Sequence, residues 1–234
     1  MVGWSLGEYV ALAASSAITL EEAIGVVARQ ALDIERYTQE VNMLAIQSCV
    51  NIFYSLSDVF ENTSLIGILS NNSFAIIGTK DQVRRTADLL DERQIDSLPL
   101  PVRHGFHSPQ VEPAKLSFQA YCRERIQFHT PKIPVYSSAS RNKVKELNSD
   151  YLWTVCRSRF NFSGALIKAV TDHPRLPMID IGPSGAAANH AKHILGASAE
   201  VRHGLRSAPS AFSFNADSNH RNESNGGIVV CRSK

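Results

Sequence analysis

With 234 residues, 44% hydrophobic and 20% charged, the chain has apolar mass for one core-bearing domain with a smaller inserted unit, and too much of it for a disordered protein. A formal net charge of +2, with Lys and Arg scattered rather than striped, excludes a nucleic-acid surface, and no apolar run reaches the roughly 18 residues of a membrane span. No charged stretch leads into an apolar one at the N-terminus, and Cys49, Cys122, Cys156 and Cys231 are too scattered for a zinc or redox motif, so the chain reads as cytoplasmic with reduced cysteines.

The first element is Gly3-Trp4-Ser5-Leu6-Gly7, which has the G-x-S-x-G form of a nucleophile elbow. Two glycines there let a strand turn sharply into a helix around an exposed serine, and the good helix formers from Glu8 to Ala14 supply the helix. Only Met1 and Val2 stand where a feeding strand of about five residues belongs, so the chain is expected to be the later part of a larger fold. Read alone, the pattern fits a turn serine as well as a nucleophile. Thr19 and Glu22 then form the T-x-x-E box that opens a second helix, with Leu20, Ala23, Ile24, Val27, Ala31 and Ile34 as its buried stripe. Gln30 lies roughly 70° from the centre of that stripe, whereas Arg29 points away from it as a solvated charge.

From Asn42 the order changes. Runs at 43–46, 64–69 and 73–78 read as strands, an amphipathic helix spans 80–93, and 97–102 is extended; this mixed order predicts a small α+β unit over 42–103. His104-Gly105-Phe106-His107-Ser108-Pro109 follows, where an imidazole near neutral pKa is the residue type that activates a serine hydroxyl. A helix over 113–126, a strand over 131–138, a polar connection over 140–150 and a last buried strand over 176–184 complete the body, 1–41 and 104–206. His190 and His193, one helical turn apart, have no third ligand nearby, so no metal is expected. The Ser-, Asn- and Arg-rich residues 207–234 are expected to be a disordered tail.

Gly-Trp-Ser-Leu-Gly-Glu at 3–8, His-Gly-Phe-His-Ser at 104–108, Ile-Pro-Val-Tyr-Ser at 133–137 and Gly-Pro-Ser at 182–184, in this order, resemble the malonyl-CoA:acyl-carrier-protein transacylases and polyketide synthase acyltransferase domains. Trp4 stands where the family has His. The resemblance implies an α/β fold, an acyltransferase-type α/β-hydrolase-like body with an inserted ferredoxin-like α+β subdomain, incomplete at its N-terminus. It implies Ser5 as nucleophile, His107 as its base, the Leu6 N–H as an oxyanion donor, and a backbone carbonyl near Asn161 holding the histidine. It also implies acyl selection by Gln30, His104 and Phe106, with Gly105 enlarging the site slightly. The family's malonyl-gripping arginine falls on Gln30 by ungapped counting, or on Arg29 after a one-residue slip; a neutral glutamine disfavours a carboxylate-bearing acyl group. The implied activity is transfer of a malonyl or short acyl group from coenzyme A to the phosphopantetheine thiol of an acyl carrier protein, in fatty acid or polyketide biosynthesis. No permanently bound cofactor is implied. A proofreading acyl hydrolase of a polyketide assembly line and a non-catalytic remnant are the alternatives.

Overall fold

The computed structural model describes residues 1–174, 176–196, 199–204 and 228–231. Strand β1 (Val2–Gly3) turns directly into α1 (Leu6–Ala14), and α2 (Leu20–Tyr37) follows. The expected capping box opens α2: the Thr19 hydroxyl accepts from the Glu22 N–H at 3.1 Å, and the Glu22 carboxylate accepts from the Thr19 N–H at 2.7 Å. Its buried stripe is narrower than the periodicity predicts. Ala23, Val26 and Ile34 are buried, while Leu20 and Ile24 are exposed; α2 packs one face on α1 and α5, and Val27 and Ala31 of the predicted stripe line an open cleft.

The next six elements are β2 (Asn42–Ile46), α3 (Asn51–Ser55), β3 (Ser64–Ser70), β4 (Ser73–Gly78), α4 (Lys80–Asp91) and β5 (Ser97–Leu100). Their strands lie in the order β5-β2-β4-β3, each pair antiparallel, which is the ferredoxin-like βαββαβ arrangement. Alternation along β2 and β4 decides its two faces. Leu44, Ile46, Phe74 and Ile76 pack under α3 and α4, and Met43, Ala75 and Ile77 form the opposite face. Helix α4 stops short of the predicted Arg93 as the chain turns to positive φ at Gln94. Short α3 was not evident in the sequence.

The chain returns through a 3-10 turn at Pro109–Ala114 to α5 (Lys115–Arg125), β6 (Tyr136–Ser137), β7 (Asn142–Lys143), α6 (Ser149–Arg157), β8 (Phe160–Asn161), α7 (Phe162–Asp172), β9 (Met178–Asp180), α8 (Ala186–Leu195), β10 (Val201–His203) and β11 (Ile228–Cys231). The body sheet runs β10-β9-β11-β1-β6-β7. Met1 and Val135 point to the core with α1, α2, α5 and α6, and Val2 and Tyr136 to the core with α7 and α8, so period-2 alternation yields a three-layer α/β/α body. This sheet is not wholly parallel: β11 lies antiparallel between β1 and β9. Residues 228–231 of the expected disordered tail are therefore strand, and the rest of that tail lies outside the described residues. Strand β8 leaves the body to pair in parallel with β3 of the inserted unit, stitching the two together. No helix among the described residues is long and apolar enough to cross a membrane.

Candidate active site

Ser5 sits at the junction of β1 and α1 with φ 51° and ψ −125°, a strained positive-φ conformation that the two glycines make reachable. Gly3 is required for close approach: a Cβ there would lie 2.4 Å from the Gly7 carbonyl oxygen and 2.8 Å from the Glu8 nitrogen. Leu6 is the first residue of α1, so its N–H has no partner inside the helix and is available to an oxyanion.

His107 also has positive φ, 63°. Its N–H donates to the Cys156 carbonyl at 2.8 Å, and its ring is buried. Nε2 lies 2.9 Å from Ser5 Oγ, and Nδ1 lies 3.0 Å from the Ser158 carbonyl. A carbonyl only accepts, so it fixes the proton on Nδ1 and leaves Nε2 as acceptor for the serine hydroxyl. Burial pushes the imidazole from 6.5 down to about 4, partly opposed by the Ser158 carbonyl, so His107 is neutral at physiological pH. Phe160 lies edge-on to the His107 ring at 4.9 Å. A Cβ on Gly67 would collide with the Phe160 ring at 2.0 Å, so this aromatic shield depends on a glycine in β3.

The histidine-holding carbonyl is therefore that of Ser158 and not Asn161, which corrects the sequence reading by three residues. Asn161 is bound elsewhere: its N–H donates to the Ser138 carbonyl at 2.7 Å, and its side chain caps α7 by accepting from the Gly164 N–H at 2.7 Å. Main-chain acceptors carry no side-chain signature, so only geometry finds them.

A cavity of about 270 Å³ opens onto this pair; Gln30 and Phe106 line it together with Ser5, Leu6 and His107. Gln30 Oε1 accepts from the Tyr9 hydroxyl at 2.5 Å. Arg29 lies outside the cavity and is not a free surface charge. It pairs with Asp33 at 2.8 Å and bonds Ser117 of α5, locking α2 to its neighbour. His104 does not line the cavity either. Thr38, at the C-terminal end of α2, holds its Nδ1 at 3.1 Å where the two connecting strands cross. Gly105 leaves no extra room, since a Cβ would meet Gln110 Cβ at 2.6 Å.

Two residues of the elbow motif to which the sequence assigned no role, Glu8 and Trp4, organise the site. Glu8 is fully buried behind the elbow, and its carboxylate accepts from Ser138 N (2.9 Å), Ser138 Oγ (2.7 Å), Ala139 N (3.2 Å) and Tyr151 Oη (2.8 Å). Burial raises its pKa, opposed by those hydrogen bonds. Trp4 is buried against Phe162 at 4.6 Å and His190 at 6.0 Å, and both Trp4 and His190 line the cavity. No cluster of three or more metal-ligating side chains occurs among the described residues.

The model of the acyl transferase domain family matches residues 1–200. Among curated proteins, the polyketide biosynthesis acyltransferase homolog BaeD of Bacillus velezensis is 32% identical over 202 residues, covering 86% of this chain and 62% of the relative. The homolog PksD of Bacillus subtilis is 30% identical over 195 residues, covering 83% and 60%. The chain thus spans about three-fifths of the length of these relatives. Among solved structures, the acyl transferase domain of SpnD in complex with 2-(pent-4-yn-1-yl)malonyl superposes with a TM-score of 0.77 at 21% identity, covering 90% of this chain and 52% of that one. Malonyl CoA-acyl carrier protein transacylase from Clostridium perfringens gives 0.73 at 20% identity, covering 86% and 65%; both likenesses speak to fold. The chain belongs to the acyl transferase domain family.

Proposed function

We propose that this member of the acyl transferase domain family moves an acyl group between thiols in the cytoplasm through an ester on Ser5. The observation that carries the reading is the relay Ser5 Oγ to His107 Nε2 at 2.9 Å and His107 Nδ1 to the Ser158 carbonyl at 3.0 Å. As Ser5 Oγ attacks the thioester carbonyl, its proton passes to Nε2, and the imidazolium that forms is stabilised by the Ser158 carbonyl. The Leu6 N–H receives the developing oxyanion. Collapse of the tetrahedral adduct breaks the carbon–sulfur bond, and the departing thiolate takes the proton from His107. A second thiol then attacks the ester by the reverse sequence. A backbone carbonyl in place of a triad carboxylate holds the ring without adding charge, which keeps the base neutral between steps.

Coenzyme A and the phosphopantetheine thiol of an acyl carrier protein are the proposed donor and acceptor, in polyketide or fatty acid biosynthesis. Gln30 favours neutral acyl groups over malonyl, because glutamine cannot neutralise a desolvated carboxylate. The same residue supports a second reading, release of the acyl group to water. Incubation with radiolabelled acetyl-CoA tests the nucleophile: wild type should carry a hydroxylamine-sensitive label, Ser5→Ala none, and His107→Ala should acquire it about 100-fold or more slowly. Equal labelling of Ser5→Ala sinks the assignment, and partition of the label between carrier protein and water separates the two readings.

A further inference from the structure

Two buried side-chain polar atoms among the described residues lack a hydrogen-bond partner, Ser73 Oγ and His190 Nδ1. Both residues line the cavity that holds Ser5. Folded proteins leave few such groups unmatched, and two in the wall of one cavity point to polar atoms of whatever occupies it. They come from separate elements, Ser73 from the start of β4 and His190 from α8, where it lies against Trp4.

Apart from the Ser5–His107 pair, Gln30 and Gln47, the rest of the wall is apolar. Ala45 and Ala75 pair directly across β2 and β4, the two central strands of the inserted sheet, and both line the cavity together with Met43 and Ile66. Larger residues at these paired positions would fill the floor. An apolar cavity of about 150 Å³ takes a benzene ring, so about 270 Å³ has room for on the order of ten non-hydrogen atoms, more than an acetyl or malonyl group fills. No Lys, Arg, Asp or Glu lines it, and burial pushes His190 down to about 4, so its imidazole is neutral.

We propose that this cavity selects neutral acyl thioesters of medium length whose chain carries a hydroxyl or keto oxygen, received by Ser73 and His190; the proposal rests on the reading of Ser5 as nucleophile. A serine hydroxyl turns about χ1, and a neutral imidazole carries its proton on either ring nitrogen, so Nδ1 donates in one tautomer and accepts in the other and either oxygen function is matched. The hydrocarbon part of the chain lies along the Ala45–Ala75 floor.

The test uses the full chain and N-acetylcysteamine thioesters of acetic, malonic, octanoic, 3-hydroxyoctanoic and 5-hydroxyoctanoic acids in pairwise competition, with the ester on Ser5 read by intact mass. Octanoyl should outcompete acetyl by about tenfold or more, and one of the hydroxyoctanoyl groups should outcompete octanoyl by about fivefold to tenfold, the range of one neutral hydrogen bond. Ser73→Ala and His190→Phe should each bring the hydroxyoctanoyl-to-octanoyl ratio towards one, Ser73→Thr should restore it, and Ala75→Leu should lower the octanoyl-to-acetyl ratio. Labelling by acetyl with octanoyl excluded overturns the proposal and leaves the nucleophile assignment standing. Equal labelling by octanoyl and both hydroxyoctanoyl groups overturns the oxygen-receiving role of Ser73 and His190. If no thioester labels Ser5, the nucleophile reading fails and the proposal with it.

Discussion

Acidification tests the Ser5–His107 pair most directly. Burial lowers His107 from 6.5 to about 4, a gap corresponding to roughly 3 kcal/mol against placing charge in that pocket. An imidazole with the ordinary value would be about nine-tenths protonated at pH 5.5, whereas His107 stays almost wholly neutral there. Single-turnover acylation of Ser5 at pH 5.5 should therefore run within about a factor of two of its rate at pH 7.5, where an unshifted base would give a loss of about tenfold. Folding carries the same sign. The folded chain binds this proton less tightly than the unfolded one, so the stability involved is complete above 6.5 and is lost as pH falls through 4. His190, also lowered from 6.5 to about 4 by burial, adds to the loss in the same window. The assay is rapid quench with an acyl thioester and intact-mass detection, with far-ultraviolet circular dichroism at each pH. A tenfold fall in rate between pH 7.5 and 5.5 with the helical signal intact would refute the reasoning.

Three further outcomes are expected. Gly3→Ala forces a Cβ to within 2.4 Å of backbone at Gly7, so it should destabilise the fold by about 3 kcal/mol or more and abolish Ser5 labelling; a wild-type melt with normal labelling contradicts the close-approach argument. Glu8→Ala leaves the Ser138 N–H and hydroxyl and the Tyr151 hydroxyl without their acceptor, while the Ala139 N–H keeps Ser137 Oγ at 3.1 Å, at about 3 kcal/mol or more in urea denaturation; a loss under about 1 kcal/mol would mean water replaces the carboxylate. Gln30→Arg should shift competition between acetyl and malonyl thioesters toward malonyl by about 1 to 3 kcal/mol, and Tyr9 remains satisfied because its hydroxyl also reaches the Leu152 carbonyl at 3.2 Å. An unchanged ratio would remove Gln30 as a selector.

What the sequence revealed was what side chains and periodicity encode. The elbow, the Thr19–Glu22 box, the α+β order of the insertion and the facing of Gln30 rather than Arg29 toward the cleft were all legible, because each depends on local spacing. Missing from that reading were features made by backbone or by distant contact. The Ser158 carbonyl has no residue-type signal, and His104 turned on a partner 66 residues away at Thr38. Burial of Glu8 depends on the loop 137–139 and on Tyr151, both far along the chain. Ile228–Cys231, in a segment of disorder-like composition, gains its strand character from the gap between β1 and β9 that it fills.

The short strand β8 has a mechanical consequence. Within four residues, the chain supplies the carbonyl that holds His107, the ring that shields it, a hydrogen bond to the body at Ser138, and a strand pair with Gly67 and Ile68 of the inserted unit. Any hinge movement of that unit to widen the cleft for a bulky thioester pulls on the same four residues. The aperture and the aim of the base are thus geared together: displacing the inserted unit would also displace the residues that hold the His107 ring on Ser5.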